Sequence, residues 1–340
     1  MTLKEIANEA GVSISTVSRV VNNSGTNAAS KEVRDRIWEI VRRSGYTPNS
    51  SARNLKMGHS QPRQKINSLA CMFARTPNDP NDPFFSTIAR GVEIEALKHD
   101  YLMKLSFSSI DINEPETSRF ILNNEFSGVV ILGRCDKATL KFLKHHFHYV
   151  VYTGLNSIDA NFDQILCDGY EATLSVMKHL VDLGHKNIGY LGDTSLEVRY
   201  TGYKAALERY QIPFRKEYTH SIELVSNQGY QGAKELLTNC PDLTAIFCGN
   251  DITAIGAIRA IKDMGLKIPK DISVISIDDI DTAQYLSPML TTIHIPTLEM
   301  GQQAAKTIID RINGGHSVPL KVNLPFYLAR RESCGKPIVR

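Results

Sequence analysis

The chain has 340 residues, of which 42% are hydrophobic and 22% charged, with a net charge of +3. This length and composition predict two or three compact domains. No apolar run is long enough for a membrane-spanning helix or typical of a secretion signal, so we expect a cytoplasmic protein. Residues 1 to 65 hold 11 Lys and Arg against 5 Asp and Glu, a net charge of +6 that leaves −3 for residues 66 to 340, which favours an anionic polymer as partner of the head.

The stretch from Thr2 to Asn23 predicts two short helices joined by a tight turn. Thr2 and Glu5 have the spacing of a capping box, which marks the start of the first helix. Gly11 is placed to end that helix in a left-handed conformation, and Ser13 to cap the second helix. The outer face of the second helix carries short polar groups and one arginine, which suits a DNA major groove. A small solvated helical hairpin is the alternative.

The second of these helices is predicted to read DNA. Ile14 and Ser15 are expected to select bases, and Arg19 to contact the O6 and N7 atoms of a guanine. The remaining DNA contacts that we expect are Thr2, Ser13, Thr16, Ser18 and Asn22, of which Ser13, Thr16 and Asn22 hold phosphates.

A third helix is predicted from Ser30, its cap, to Gly45, and Trp38 or Tyr46 completes a small core. The segment that follows has Asn49 as the cap of a helix of only about seven residues, which is too short to be stable alone in water. From its residues alone, this segment is either a plain linker or a helix that folds only when a partner orders it. Residues 57 to 65, rich in Gly, Ser, Gln and Pro, are a linker.

From residue 66 onward, apolar runs of strand length alternate with amphipathic helices, which predicts parallel sheets with helices on both faces. Asp168 is expected to cap a helix over residues 169 to 183, and Pro296 to stand in the first turn of a helix that runs to Gly314. The predicted strands are Ile66–Phe73, Leu102–Phe107, Gly128–Leu132, Val150–Tyr152, Ile188–Leu191, Ala245–Cys248 and Ile272–Ile277.

The helix-turn-helix pattern TLKEIANEAGVSISTVSRVVNN and the segment YTPNSSARNLK resemble the DNA-binding head and hinge of the LacI/GalR family of bacterial transcription regulators. The resemblance continues to about residue 333 and implies an α/β fold whose body has two lobes like those of periplasmic binding proteins. It also implies a hinge helix that lies in the minor groove, where Leu55 is inserted between base pairs beside Ala52.

The resemblance divides the chain into an all-α head at 1–46, a hinge helix and linker at 47–65, and two lobes that the chain connects three times, near residues 163, 293 and 323. The first lobe is expected to comprise 66–163 and 293–323, and the second 164–292 and 324–340.

Ligands of open α/β sheets bind beyond the carboxyl ends of the strands. In the family, the positions that match Phe84 or Phe85, Arg199, Asn250 and Asp278 line the effector cleft. Phe84 and Phe85 have the alternative role of fastening a helix to the sheet, Asp251 is a candidate helix cap, and Asp279 is expected to support its neighbour. Arginine, amide and carboxylate groups beside aromatic rings are typical of a polyol site and favour a neutral sugar over an anion.

We therefore expect an effector-controlled repressor of a sugar-utilisation operon that binds a pseudo-palindromic operator and releases it when a small sugar binds. A corepressor would use the same parts. The stretch NDPFF and the turn at 279 to 283 resemble galactoside-responsive more than purine-responsive members. Because no leucine heptads follow Ser333, we expect a homodimer.

An enzyme is disfavoured because the chain contains neither a G-x-G-x-x-G nor a Walker A motif, and a constitutive architectural DNA binder because the polar residues converge at strand ends. We expect no cofactor, metal or catalytic residue. The histidines of Lys144-His-His-Phe-His148 are interpreted as a solvent-facing strand start and not as a metal site. The scattered cysteines, expected to be reduced, are Cys71, Cys135, Cys167, Cys240, Cys248 and Cys334.

Overall fold

The computed structural model describes residues 2–21, 29–44, 46, 67–74, 82–108, 126–195 and 197–338. Its three N-terminal helices form a head, and its remaining elements form two α/β lobes. The helices are Leu3–Ala10 (α1), Ile14–Val21 (α2), Lys31–Ser44 (α3), Pro83–Lys98 (α4), Lys137–His146 (α5), Gly169–Asp182 (α6), Val198–Arg209 (α7), Ser226–Asn239 (α8), Asp251–Asp263 (α9) and Thr297–Ile312 (α10). The strands are Ser68–Phe73 (β1), Leu102–Ser108 (β2), Gly128–Leu132 (β3), Val150–Gly154 (β4), Asp163–Cys167 (β5), Ile188–Gly192 (β6), Thr219–Ser221 (β7), Ala245–Cys248 (β8), Ser273–Asp278 (β9), Thr291–His294 (β10), Lys321–Leu324 (β11) and Tyr327–Ala329 (β12).

The caps predicted for the head are present. Glu5 N donates a hydrogen bond to Thr2 Oγ1 at 3.3 Å, and Thr2 N donates one to Glu5 Oε2 at 2.8 Å. Gly11 ends α1 at φ 67°, and Ser13 Oγ accepts a hydrogen bond from Thr16 N at 3.1 Å at the start of α2. The capping box and the helix start at Ser13 are therefore confirmed.

The head has a small apolar core made by all three helices. Trp38 is buried in it, and Tyr46 packs against it from outside the helices. Both of the aromatic residues considered for this core therefore contribute. The buried members are Ile6, Ala7, Ala10, Val17, Val20, Val21, Ile37, Trp38, Ile40 and Val41.

Two six-stranded sheets form the lobes. The first has the order β11-β5-β4-β3-β1-β2 and the second the order β12-β10-β9-β8-β6-β7. All neighbouring strands are parallel except β10 and β12, which pair antiparallel. The predicted class of parallel sheets covered by helices is therefore confirmed, although the sequence patterns did not identify five short strands, β5, β7, β10, β11 and β12.

The chain passes between the two sheets three times. The first passage follows Cys167 and not residue 163, because residues 163 to 167 form β5 and pair with β4 and β11 in the first sheet. The second lies between β10 and α10, and the third between β11 and β12. Strand β5 escaped the sequence patterns because it begins with the polar residues Asp163 and Gln164, which are nevertheless buried.

Two further local predictions are corrected by the structure. Residues 144 to 146 form the last turn of α5, which begins after the cap Asp136, so the histidine stretch is a helix end and not a strand start. Pro296 precedes the first turn of its helix, which begins at Thr297. The hinge prediction, which includes Asn49, Ala52 and Leu55, lies outside the described residues.

In each lobe, two helices approach each other closely through glycine. A Cβ atom on Gly301 of α10 would lie 2.0 Å from Ile88 O of α4, and one on Gly91 of α4 would lie 2.2 Å from Leu298 O. The backbones of α4 and α10 are therefore in direct contact. Gly229 and Gly256 have the corresponding roles between α8 and α9.

Gly301→Ala is expected to destabilise the protein by about 1–3 kcal/mol, because the strain of overpacking exceeds the gain in helix propensity of at most about 1 kcal/mol. Urea unfolding of the full chain measures the change. Glu299→Ala, at an exposed position of the same helix, is the control and should change stability by less than about 0.5 kcal/mol. Equal stability of Gly301→Ala and wild type would contradict the backbone contact.

Candidate functional site

A cavity of about 630 Å³ lies between the lobes, where the carboxyl ends of both sheets meet. Residues that follow strands of the first sheet form one wall, and residues that follow strands of the second sheet form the other. All five predicted effector residues, Phe84, Phe85, Arg199, Asn250 and Asp278, line this cavity. Their placement brings together residues that are far apart in the sequence, while their contact with an effector stays a prediction.

Phe84 and Phe85 open α4 at the edge of the cavity. Asp82 Oδ1 accepts a hydrogen bond from Phe84 N at 2.9 Å, which caps the helix. The two rings meet edge to face, with centroids 5.1 Å apart, and both are buried in the core of the lobe. The two alternatives considered for this pair are therefore compatible: the rings fasten α4 to the sheet and also supply an apolar wall to the cavity.

Arg199 is almost completely buried in the floor of the cavity, and a carboxylate compensates its charge. Its Nε donates to Glu197 Oε1 at 3.0 Å, and its Nη1 donates to Gly249 O at 2.6 Å. Burial is the largest influence and opposes the charge, but Glu197, with smaller effects of Tyr190 and Asp278, outweighs it, so the pKa of the guanidinium is raised above its ordinary value. Arg199 is thus a fixed hydrogen-bond donor whose charge is already neutralised.

Sequence reasoning did not identify Glu197. It is 1% exposed and also caps α7, since its Oε1 accepts from Arg199 N at 3.5 Å. The spacing of a glutamate two residues before an arginine at a helix start was visible in the sequence. Only the burial of both side chains turns that spacing into a neutralised pair.

Asn250, and not Asp251, caps α9. Its Oδ1 accepts a hydrogen bond from Thr253 N at 2.9 Å, and its Nδ2 donates to Leu224 O at 3.3 Å. The amide therefore links the start of α9 to the loop that follows β7 while it lines the cavity. The expected capping role of Asp251 is corrected, because that residue lies behind the cap.

The Asp251 carboxylate is fully buried and joins three segments of the second lobe. Ser276 Oγ and Thr292 Oγ1 donate to it at 2.5 Å and 2.7 Å, and Ile280 N donates at 2.9 Å. Burial raises the pKa of this carboxyl to about 6, although the three hydrogen bonds oppose that shift. The group therefore holds the turn beyond β9 in place next to Asp278.

Asp278 and Asp279 form an unusual turn at the end of β9. Both have positive φ angles, 140° and 58°, which non-glycine residues rarely adopt and which are often found at functional sites. Asp279 is held by His294 Nδ1 at 2.9 Å and by Arg331 Nη2 at 2.6 Å. The supporting role expected of Asp279 agrees with these contacts, which fix the backbone that presents Asp278 to the cavity.

An ion pair that the sequence reasoning missed connects the two walls of the cavity. Arg134, after β3, donates from Nη2 to Asp193 Oδ2, after β6, at 3.0 Å. Asp193 Oδ1 in turn accepts from Ser195 N at 2.7 Å. Arg134 lies two residues after β3, and Asp193 directly follows β6. The rule that selected the other candidates from the carboxyl ends of strands would therefore also have found them.

Asn156 is a second cavity residue that was missed. It follows β4, is 8% exposed, and its Oδ1 has no hydrogen-bond partner among the described residues. A buried amide oxygen without a partner is costly. Asn156 therefore belongs with the polar groups from which a ligand could gain a hydrogen bond.

The predicted DNA-reading face of α2 is open to solvent. Ile14 is 48% exposed although it is apolar, and Arg19 is exposed, with its Nε donating to Ser15 O at 3.3 Å. Thr2, Ser13 and Ser15 are also exposed, and Thr16 and Ser18 are partly buried. Asn22, Ala52 and Leu55 lie outside the described residues.

The described residues contain no group of three or more His, Cys, Asp or Glu side chains placed to hold a metal ion. None of the described helices is both long and apolar enough to cross a membrane. All six cysteines are free thiols, and burial raises the pKa of Cys71 and of Cys167 to about 12, which makes these thiols unreactive.

A helix-turn-helix head in front of a two-lobed α/β body with a polar cleft defines a ligand-responsive DNA-binding regulator. A family model described as bacterial regulatory proteins, lacI family, matches residues 2–49. A second model, described as a periplasmic binding protein-like domain, matches residues 177–334. The chain belongs to the LacI family; it is a DNA-binding transcriptional repressor with a ligand-binding body, and not an enzyme.

Similar proteins match nearly the whole chain. The HTH-type transcriptional repressor MelR of Bacillus subtilis (strain 168) is 29% identical over 343 residues, which cover 98% of this chain and 97% of the relative. The HTH-type transcriptional repressor PurR of Yersinia pestis (strain Pestoides F) is 29% identical over 340 residues, with 98% and 96% covered. A LacI family regulator from Enterococcus faecium, solved with bound ribose, is 27% identical to this chain, with a TM-score of 0.68. The match covers 79% of this chain and 100% of that regulator.

The raised pKa of Asp251 predicts a pH dependence of stability. The folded-state pKa of the Asp251 carboxyl lies near 6 against an ordinary value of 3.8. The stability that the protonated carboxyl contributes is therefore fully present below pH 3.8 and is lost as the pH rises through 6. An asparagine side chain does not ionise. The free energy of unfolding of Asp251→Asn minus that of wild type should therefore increase by an amount on the order of 2 kcal/mol from pH 4 to pH 7.

Urea unfolding midpoints of wild type, Asp251→Asn and the exposed control Asp281→Asn across this pH range measure the effect. The control should follow wild type at every pH. A difference between Asp251→Asn and wild type that does not change with pH would show that Asp251 titrates at its ordinary pKa.

Proposed function

We propose that the protein is a homodimeric cytoplasmic repressor of a sugar-utilisation operon, and that a small neutral sugar bound in the cleft releases it from a pseudo-palindromic operator. The observation that carries the choice of ligand is the pairing of both cavity arginines with carboxylates, Arg199 with Glu197 and Arg134 with Asp193. Charge-neutralised donors suit hydroxyl groups better than anions.

The rest of the lining supports the same class of ligand. Three further carboxylates, Asp82, Glu223 and Asp278, line the cavity, where they can accept hydrogen bonds from sugar hydroxyls and repel phosphates or carboxylates. Phe84 and Phe85 offer an apolar surface to the face of a sugar ring. The Enterococcus faecium regulator of similar fold was solved with bound ribose, which supports a sugar as the class of ligand. The NDPFF stretch and the turn at 279 to 283 favour a galactoside.

The two heads of the dimer would place α2 in successive major grooves, with half-sites about one helical turn apart. Ile14 and Ser15 at the start of α2 would contact bases, and Arg19 a guanine. Ser13, Thr16 and Asn22 would hold phosphates of the DNA backbone, and Thr2 and Ser18 would also contact the DNA. Ala52 and Leu55 would enter the minor groove.

A sugar can release the operator only if it binds one arrangement of the lobes more tightly than the other. We infer that the sugar favours the DNA-free arrangement of the lobes. In that arrangement the two hinges are too far apart to pair, so that Leu55 leaves the minor groove. Changing the operator-bound fraction from nearly full to nearly empty requires about 5.5 kcal/mol of differential binding. Several buried hydrogen bonds in each of two subunits can supply that amount. A corepressor would use the same contacts with the opposite sign.

Arg19→Ala is expected to weaken operator binding by about 1–3 kcal/mol and to relax the base preference at one operator position. Binding titrations against the wild-type operator and its single-base variants measure both effects. Lys4→Ala, at an exposed position of α1 outside the proposed contacts, is the matched control. A uniform loss over all operator variants would make Arg19 a phosphate contact instead.

Asp278→Ala is expected to abolish the response to the effector and to leave operator affinity unchanged, because Asp278 lines the cavity and is remote in sequence from the head. The effector is first found by thermal unfolding of the wild type with neutral mono- and disaccharides, their phosphates and purine bases, since a ligand of the folded state raises the melting temperature. Asp182→Ala, at an exposed position outside the cavity lining, is the control.

Stabilisation by a sugar phosphate or a purine base and by no neutral sugar would overturn the proposed ligand class. If Asp278→Ala still responded fully to the effector, the binding site would lie elsewhere. The direction of the change in operator affinity on adding the effector distinguishes an inducer from a corepressor.

A further inference from the structure

Helix α5 of the first lobe presents a face of basic side chains that the proposed function does not use. All of its members are exposed to solvent. Within the helix they fall inside an arc of about 100°, opposite the buried residues Phe142 and Leu143. We call this surface the basic face; it consists of Lys137, Lys141, Lys144 and His145 of α5 and of His148, two residues beyond the end of the helix.

The basic face is not balanced by acidic residues of its own helix. Residues 137 to 149 contain no Asp or Glu, and Asp136, just before them, uses Oδ1 to accept a hydrogen bond from Thr139 N at 2.7 Å as the helix cap. Three lysines without a compensating i,i+4 partner repel one another. Such a face is unfavourable in isolation and is relieved by an anionic partner.

The position of this face follows from the parallel sheets. The carboxyl ends of the strands in both lobes meet at the cavity, so the amino-terminal edges of the two sheets lie at opposite poles of the body. Helix α5 runs back from the cavity, and its last turn, with Lys144 and His145, reaches the amino-terminal edge of the first sheet. Tyr149 O, next to His148, accepts a hydrogen bond from Val129 N at 3.0 Å at that edge.

The same edge is the point where the chain from the head enters the body. Strand β1 begins at Ser68, and β3 separates it from β4, which begins just after His148. With neighbouring strands about 4.8 Å apart, the start of β1 and the end of the basic face are separated by about 10 Å. The basic face therefore lies at the pole to which the DNA-binding head is joined.

We propose that the basic face binds backbone phosphates of the DNA that flanks the operator. This inference rests on the proposed function as a DNA-binding repressor. Lysines at the head-bearing pole can neutralise phosphates and release counterions without reading sequence, and the two histidine rings add hydrogen-bond donors. DNA is favoured over an acidic protein because the covalent connection to a DNA-bound head keeps a polyanion near this pole.

The test compares two duplexes. The first carries a site selected by wild-type protein from a random DNA library and ends at the outer edges of the two half-sites. The second extends that site by about two helical turns of unrelated sequence on each side. Affinities are measured at several salt concentrations for wild type and for the double variant Lys141→Gln and Lys144→Gln.

The control is the double variant Lys216→Gln and Lys270→Gln. These exposed lysines precede β7 and β9 at the opposite pole of the body. Thermal unfolding of both double variants verifies that each is folded. The control should retain wild-type affinity for both duplexes.

Wild type should bind the extended duplex about fivefold to tenfold more tightly than the short one at low salt, and the Lys141/Lys144 variant should lose most of that difference. On the extended duplex, the slope of log K against log salt should fall by about 2 for each subunit that contacts the flank. Affinity for the short duplex should not change.

The inference is overturned if wild type gains nothing from the flanks, if the Lys141/Lys144 variant keeps the full gain, or if it loses affinity equally on both duplexes. In each of these cases wild type still binds the short duplex, so the proposed function stands. Failure of wild type to select or bind any duplex would instead overturn the proposed function and this inference together.

Discussion

The parallel arrangement of the strands is the constraint on which the rest of this molecule depends. Every strand of the first sheet and all but β12 of the second run towards the cavity. The segments that follow those strands therefore meet in one place, and residues as distant as Phe84 and Asp278 line a single cleft. The same arrangement sends the amino-terminal edges to opposite poles, which places the connection to the head, and the basic face with it, at one end of the body.

Charge compensation determines what this cleft can bind. Arg199 and Arg134 would, if unpaired, make the cavity a site for phosphates or carboxylates. Because Glu197 and Asp193 neutralise them, what remains is a set of hydrogen-bond donors and acceptors beside two aromatic rings. The Arg134–Asp193 pair also joins the two walls, so a ligand that displaced it would change the contacts between the lobes. Recognition of the ligand and the arrangement of the lobes thus share the same side chains.

Local patterns predicted much of the fold, since caps and apolar periodicity depend on residues one turn apart. The capping box at Thr2, the helix start at Ser13 and the cap at Asp168 were recognisable for that reason, and each is present. Strand β5 was not recognisable, because its buried Asp163 is held by Arg311, 148 residues away. The choice between Asn250 and Asp251 as cap also depended on distant groups, since Ser276 and Thr292 hold the Asp251 side chain.

By itself, the sequence determined the helices of the head, the fold class of the body and the positions of the residues that line the cleft. These features depend on strand ends and helix caps, which short runs of residues specify. Only the tertiary structure decided which charges the cleft presents. Arg134 and Asp193 are separated by 59 residues, so their pairing could not be predicted from local sequence. The residues around Arg199 likewise do not indicate that Glu197 is buried beside it. Pairing and burial are properties of packed neighbours. The electrostatic character of the site therefore depends on the packing within the second lobe, which pairs Arg199, and on the contact between the lobes, which pairs Arg134.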